Sequence, residues 1–79
     1  MTARVYRPRP ANVRVDAGGL PEAVGRTAVE AVREEWLVED RWWTPRPLRR
    51  HYFELAMADG RALTVFRDPA GGRWFRQRA

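Results

Sequence analysis

Arg50-His51-Tyr52-Phe53-Glu54-Leu55-Ala56-Met57-Ala58-Asp59-Gly60-Arg61-Ala62-Leu63-Thr64-Val65-Phe66-Arg67 reads as two strands around a turn. Apolar and polar residues alternate on both sides of Asp59-Gly60, and an Asp-Gly pair between alternating runs is a strong local signal for a β-hairpin. Successive strand residues point to opposite faces. One face of the first run therefore collects His51, Phe53, Leu55 and Met57, the set to bury, and the other collects Tyr52, Glu54 and Ala56. Asp68-Pro69-Ala70-Gly71-Gly72 marks a second turn and Arg73-Trp74-Phe75-Arg76-Gln77 a third strand, which makes a meander over 50–77.

Upstream, Asn12-Val13-Arg14-Val15-Asp16 alternates like a half-buried strand. Ala17-Gly18-Gly19 turns it, and Leu20-Pro21-Glu22-Ala23-Val24 returns as a second hairpin strand. Residues 1–11 contain Arg7-Pro8-Arg9-Pro10, which disfavours helix and offers little to bury, so they read as a flexible Arg/Pro arm. A single small β domain then covers 12–78.

Residues 25–40 support two readings. Helical spacing collects Val24, Ala28, Val32 and Trp36 in a stretch of good helix formers, which predicts a short helix over 26–35. Alternation puts Ala28, Glu30, Val32 and Glu34 on one face and Val29, Ala31, Arg33 and Glu35 on the other, and neither face is clean. Trp36-Leu37-Val38-Glu39-Asp40 reads as strand. Beyond it, Pro45 and Pro47 mark a rigid loop.

Composition narrows the function classes. The chain has 79 residues, no cysteine and a net charge of +5, which allows one domain without disulfides or thiolate metal sites. No apolar run approaches a membrane span and the first residues lack the apolar core of a signal peptide, so a cytoplasmic protein without a membrane partner is expected. All 15 basic residues are arginine. Residues 16–40 hold seven acids against two arginines, and residues 41–79 nine arginines against three acids. The basic end favours nucleic acid or acidic protein surfaces; the acidic middle speaks against a uniformly basic DNA coat.

Catalysis has little to draw on. His51 is the one histidine, and no Ser-His-Asp set, phosphate loop or metal-ligand spacing is present. A non-enzymatic module without cofactor or metal is expected, with His51 a packed or surface strand residue. Glu34, Glu35, Glu39 and Asp40 read as a solvated or arginine-paired face. The rings carry more information. Trp42-Trp43, Tyr52-Phe53 and Trp74-Phe75 are adjacent pairs that one core face cannot absorb, so a second aromatic surface must exist. The candidate binding residues are Arg41, Trp42, Trp43, Arg46, Arg49, Arg50, Tyr52, Arg67, Arg73 and Trp74. Such a set could stack bases of single-stranded DNA while arginines hold phosphates, anchor a protein partner, or be buried in a homodimer.

Trp36, Asp40-Arg41-Trp42-Trp43, Arg49-Arg50-His51-Tyr52-Phe53-Glu54, Gly60, Phe66-Arg67-Asp68 and Gly72-Arg73-Trp74-Phe75 together resemble a small domain. It is found at the extreme C-terminus of ImuB-type proteins, the catalytically dead Y-family polymerase homologues of bacterial mutagenesis cassettes, and also as short stand-alone proteins. The resemblance spans about residues 12–78 and is firmest over 36–76. The position of His51 is usually acidic in that family, so a role resting on that acid does not carry over. The resemblance implies a mainly β domain, a small meander or open barrel of SH3-like or OB-like type, with 25–40 as strand. Gly25 also weakens a helix there, by ~1 kcal/mol relative to alanine. It further implies a place in translesion synthesis beside an error-prone polymerase and a RecA-like protein, and no catalytic activity.

Overall fold

A computed structural model describes residues 8–40, 45, 48–69 and 71–77. Within them lie seven strands: β1 (Arg9–Pro10), β2 (Val13–Val15), β3 (Pro21–Val24), β4 (Thr27–Asp40), β5 (Leu48–Met57), β6 (Ala62–Asp68) and β7 (Arg73–Gln77). They form one antiparallel sheet in the order β1-β7-β6-β5-β4-β3-β2. From β2 to β7 each strand neighbours the next in sequence. The seven-residue segment Arg9–Val15, which holds β1 and β2, then touches both ends of that meander. Arg9 and Pro10 pair with Arg76 and Phe75, and only a few residues later Val13 pairs with Val24. One short stretch tied to both edges forces the sheet to curl into an open barrel, the mainly β class the alternation indicated. The Arg/Pro arm drawn over 1–11 therefore gives way to strand at Arg9.

Glycines set the turns. In the β5–β6 hairpin the Gly60 amide donates to the Met57 carbonyl (2.9 Å) and the Met57 amide to the Arg61 carbonyl (2.8 Å). Gly60 sits at φ 90, in a region that costs most residues with a Cβ. Asp59 completes the turn. The Arg61 amide donates to its Oδ1 (3.0 Å) and the Arg61 Nε to its Oδ2 (2.8 Å). The backbone bond from Arg61 is the main reason that this exposed carboxyl is held below its usual pKa. The β2–β3 turn repeats the pattern, with Gly19 amide to Asp16 carbonyl (3.0 Å) and Asp16 amide to Leu20 carbonyl (2.8 Å).

The short helix over 26–35 is not present: these residues are strand β4 from Thr27 onward. The helical set Val24, Ala28, Val32 and Trp36 does not share one face of the strand: Val32 is opposite Leu55 of the core and Trp36 opposite Tyr52 of the outer face, because β4 carries two irregularities. Pairing with β5 shifts register between Val29 and Ala31 and again between Val32 and Glu34. Each bulge adds one residue to the two-residue repeat. The core-facing valines Val29 and Val32, opposite Met57 and Leu55, thus stand three apart, as they would on a helix. Past Glu34 the register is regular to Asp40.

The core forms on the predicted face. Phe53, Leu55 and Met57 of β5 are buried with Leu63 and Val65 of β6, and Val13, Val24, Val29, Val32 and Trp74 pack around them. At roughly 25 cal/mol per Å² of apolar surface, this inner layer supplies the main stabilising term of the fold. His51, on the same face, is half-buried at its rim, where its ring lies 4.3 Å from that of Phe53.

Candidate functional site

Strand register distributes the candidate residues over two surfaces instead of one. Cross-strand partners share a face, so the outer face carries a row formed by Trp36, Tyr52, Phe66 and Phe75, each opposite the next, and ending on Pro10. Ring centroids along it are 5.3, 5.0 and 5.2 Å apart. The Trp36 and Tyr52 planes differ by only 9°. Arg50 closes the row from above: its guanidinium carbon lies 4.6 Å from the Phe66 centroid and its Nη1 donates to the Tyr52 hydroxyl (3.4 Å). A cation over a ring face is attracted by the ring quadrupole.

This is the second aromatic surface that the adjacent ring pairs required. It is largely spent on itself. Tyr52 is 8% exposed and Phe66 2%, whereas Trp36 at the row's β4 end is 37% exposed. Tyr52 therefore offers no free ring face of the sort a base would need, and Arg50 is engaged with the row. Arg73, opposite Asp68, lies on this outer face and is exposed.

The core-side face ends in a polar rim. Glu35 is opposite Phe53, and His51 is opposite both Leu37 and Arg67, which in turn is opposite Trp74. His51 Nε2 is 2.7 Å from Glu35 Oε2. Trp74 is half-buried, its ring 5.4 Å from that of Phe53. An open cleft of about 390 Å³ follows, lined by Val15, Gly19, Arg67, Gly72 and Trp74. Further along β4 and β5, Arg49 Nε and Glu39 Oε1 stand 4.0 Å apart, both exposed, a separation at which an ion pair adds little.

Of the ten candidates, Arg49, Arg67 and Trp74 thus share the core-side rim, and Arg50, Tyr52 and Arg73 the outer face. Arg41, Trp42, Trp43 and Arg46 lie outside the described residues. Sequence reading passed over Leu37, which is 57% exposed on the core-side face just beyond the filled interior. It also left Trp36 out of the site. The signal was available: Trp36-Leu37-Val38 is an unbroken apolar run in a strand, and such a run puts large side chains on both faces at once.

Among the described residues, no group of three or more His, Cys, Asp or Glu side chains could hold a metal ion, and no helix is long and apolar enough to cross a membrane. The fold and site define a small antiparallel β barrel with a self-stacked outer aromatic row and an open rim. Compared with protein-family models, with curated proteins and with solved structures, the chain finds no match.

Proposed function

We propose that this domain is a non-enzymatic binding module, a protein-interaction accessory in bacterial DNA-damage tolerance. The setting rests on the resemblance to the C-terminal domain of ImuB-type proteins, with partners among the products of a mutagenesis cassette, such as an error-prone polymerase or a RecA-like protein. The binding role rests on one observation. Trp36 and Leu37 are neighbours on β4, point to opposite faces, and are exposed by 37% and 57%. Neither belongs to the buried core. Large apolar side chains held outside the core on a rigid strand, with Arg49 and Arg50 across from Glu39 and Val38, have the composition of protein-interface anchors.

Single-stranded nucleic acid is the second reading, favoured by Trp74 beside Arg67 in the open cleft. Ring and guanidinium there could take a base and a phosphate.

Two measurements separate these readings. A Trp36→Ala, Leu37→Ser double variant is expected to keep its far-ultraviolet spectrum and lose capture of purified error-prone polymerase or RecA-like protein. Retention of every partner by the folded variant rejects the Trp36/Leu37 surface. Fluorescence anisotropy with labelled oligonucleotides at low salt is expected to show no binding. Affinity that falls steeply with salt would instead favour the nucleic-acid reading, since it reports phosphate contacts.

A further inference from the structure

β4 is much longer than what covers it. On one side it pairs with β5 along its length; on the other, β3 pairs only with Thr27 and Ala28. Among the described residues, nothing pairs with that second edge from Val29 to Asp40. An uncovered edge presents unpaired amide and carbonyl groups to any extended chain, and proteins normally blunt such edges with bulges and charge. Here the blunting is uneven. The two bulges lie before Glu34, whereas Glu34 to Asp40 keeps regular register with Glu54 to Leu48. That regular half also contains Trp36, Leu37 and Val38.

We propose that the free edge of β4 between Glu34 and Asp40 takes up an extended strand of a partner protein, one that alternates basic and apolar residues, as an eighth strand of the sheet. This rests on the protein-interaction reading above and gives it a partner chemistry. The charge selects the occupant. Residues 29–40 carry five acids against one arginine. On the outer face Glu34 stands directly opposite Glu54, a like-charge pair that is unfavourable until a cation approaches. A second copy fits badly: β4 paired antiparallel with itself about Leu37 sets Glu35 against Glu39. Whereas Glu35 and Glu39 already face His51 and Arg49 of β5, a basic strand meets Glu34 with arginine or lysine. Its neighbouring side chains would extend the row past Trp36 on one face and cover Leu37 on the other. Main-chain bonds supply the affinity and the alternate side chains the specificity, as in other strand-addition complexes.

The test uses the intact protein and eight-residue labelled peptides of alternating arginine and valine, with a glutamate–valine counterpart. The arginine peptide is expected to bind and the glutamate peptide not to. N-methylation of every second peptide amide in one frame should weaken binding by about fivefold for each hydrogen bond removed. Methylation in the other frame should have no effect, because those amides point away from the edge. Glu34→Gln should weaken the arginine peptide by about two- to fivefold, the range of an exposed ion pair. Slowed amide exchange should appear within 34–40. Equal binding of both peptides, no binding, or indifference to both methylation frames overturns the proposal. So does a concentration-dependent dimer that protects the same amides. If capture of the cassette proteins depends on Trp36 and Leu37 yet methylated and unmethylated peptides behave alike, the binding-module reading stands and the strand-addition proposal falls.

Discussion

Phe53 and Trp36 sit one strand apart and differ in what they hold. Phe53 is buried on the inner face, against Trp74 on one side and the His51 ring on the other. Trp36 ends the outer row, stacked on Tyr52 and a little over a third exposed. Truncating a buried phenylalanine removes its transfer energy and leaves a cavity, at about 3–5 kcal/mol. A chain of 79 residues has a stability of similar size, so Phe53→Ala should be largely unfolded at 25 °C by circular dichroism. Trp36→Ala loses one stacked aromatic contact and some exposed area, at about 1 kcal/mol, and should show a slightly lower urea midpoint with an unchanged slope. Equal losses from the two substitutions would mean that the outer row carries as much of the fold as the inner core.

At the level of elements, the turns were easier to read than the longest strand. Asp59-Gly60 announced its hairpin because the chemistry of a tight turn is local: one residue tolerates positive φ and its neighbour's carboxylate caps an amide. Gly60 offers a clean check. A Cβ built there meets nothing within 4 Å, so the cost of Gly60→Ala is purely the φ of 90, about 1–2 kcal/mol. A D-alanine introduced by chemical synthesis should restore full thermal stability; a D-alanine variant as weak as the L-alanine one would show the cost to be steric. β4 hid itself for the converse reason. Its two bulges are fixed by pairing with β5, a partner that periodicity within β4 cannot see, and they reset the repeat twice in the six residues from Val29 to Glu34. The aromatic row was half-legible. Alternation required Tyr52 and Phe53, and Trp74 and Phe75, to part company, but which rings would line up depended on register. The candidate arginines were therefore read as one face although register deals them to two.

For the whole molecule, the sheet order predicts an order of local stability. β5 and β6 are central and carry the five fully committed core side chains, while β1 contributes two exposed residues at an edge. Local opening is easiest where few apolar contacts close an element. Native-state hydrogen exchange should thus show the slowest amides at Phe53–Met57 and Leu63–Val65, with the amides paired between β1 and β7 among the fastest in the sheet. Protection of Phe75 and Arg76 that outlasts Leu55 and Val65 would contradict this order.

The stitch between the two edges of the sheet also sets a schedule. Pro10 lies against Phe75 and the Ala11 amide donates to the Trp74 carbonyl (3.0 Å). Joining such distant residues is slow, because the entropy of closing the intervening chain is lost before the contact forms. During synthesis β1 leaves the ribosome before every other strand of this sheet, and its partner β7 leaves after them all. The two-sided hairpins β2–β3 and β5–β6 can form as they emerge. The ring they belong to waits for Trp74 and Phe75, and until then the inner valines and Phe53 depend on whatever shields a nascent chain.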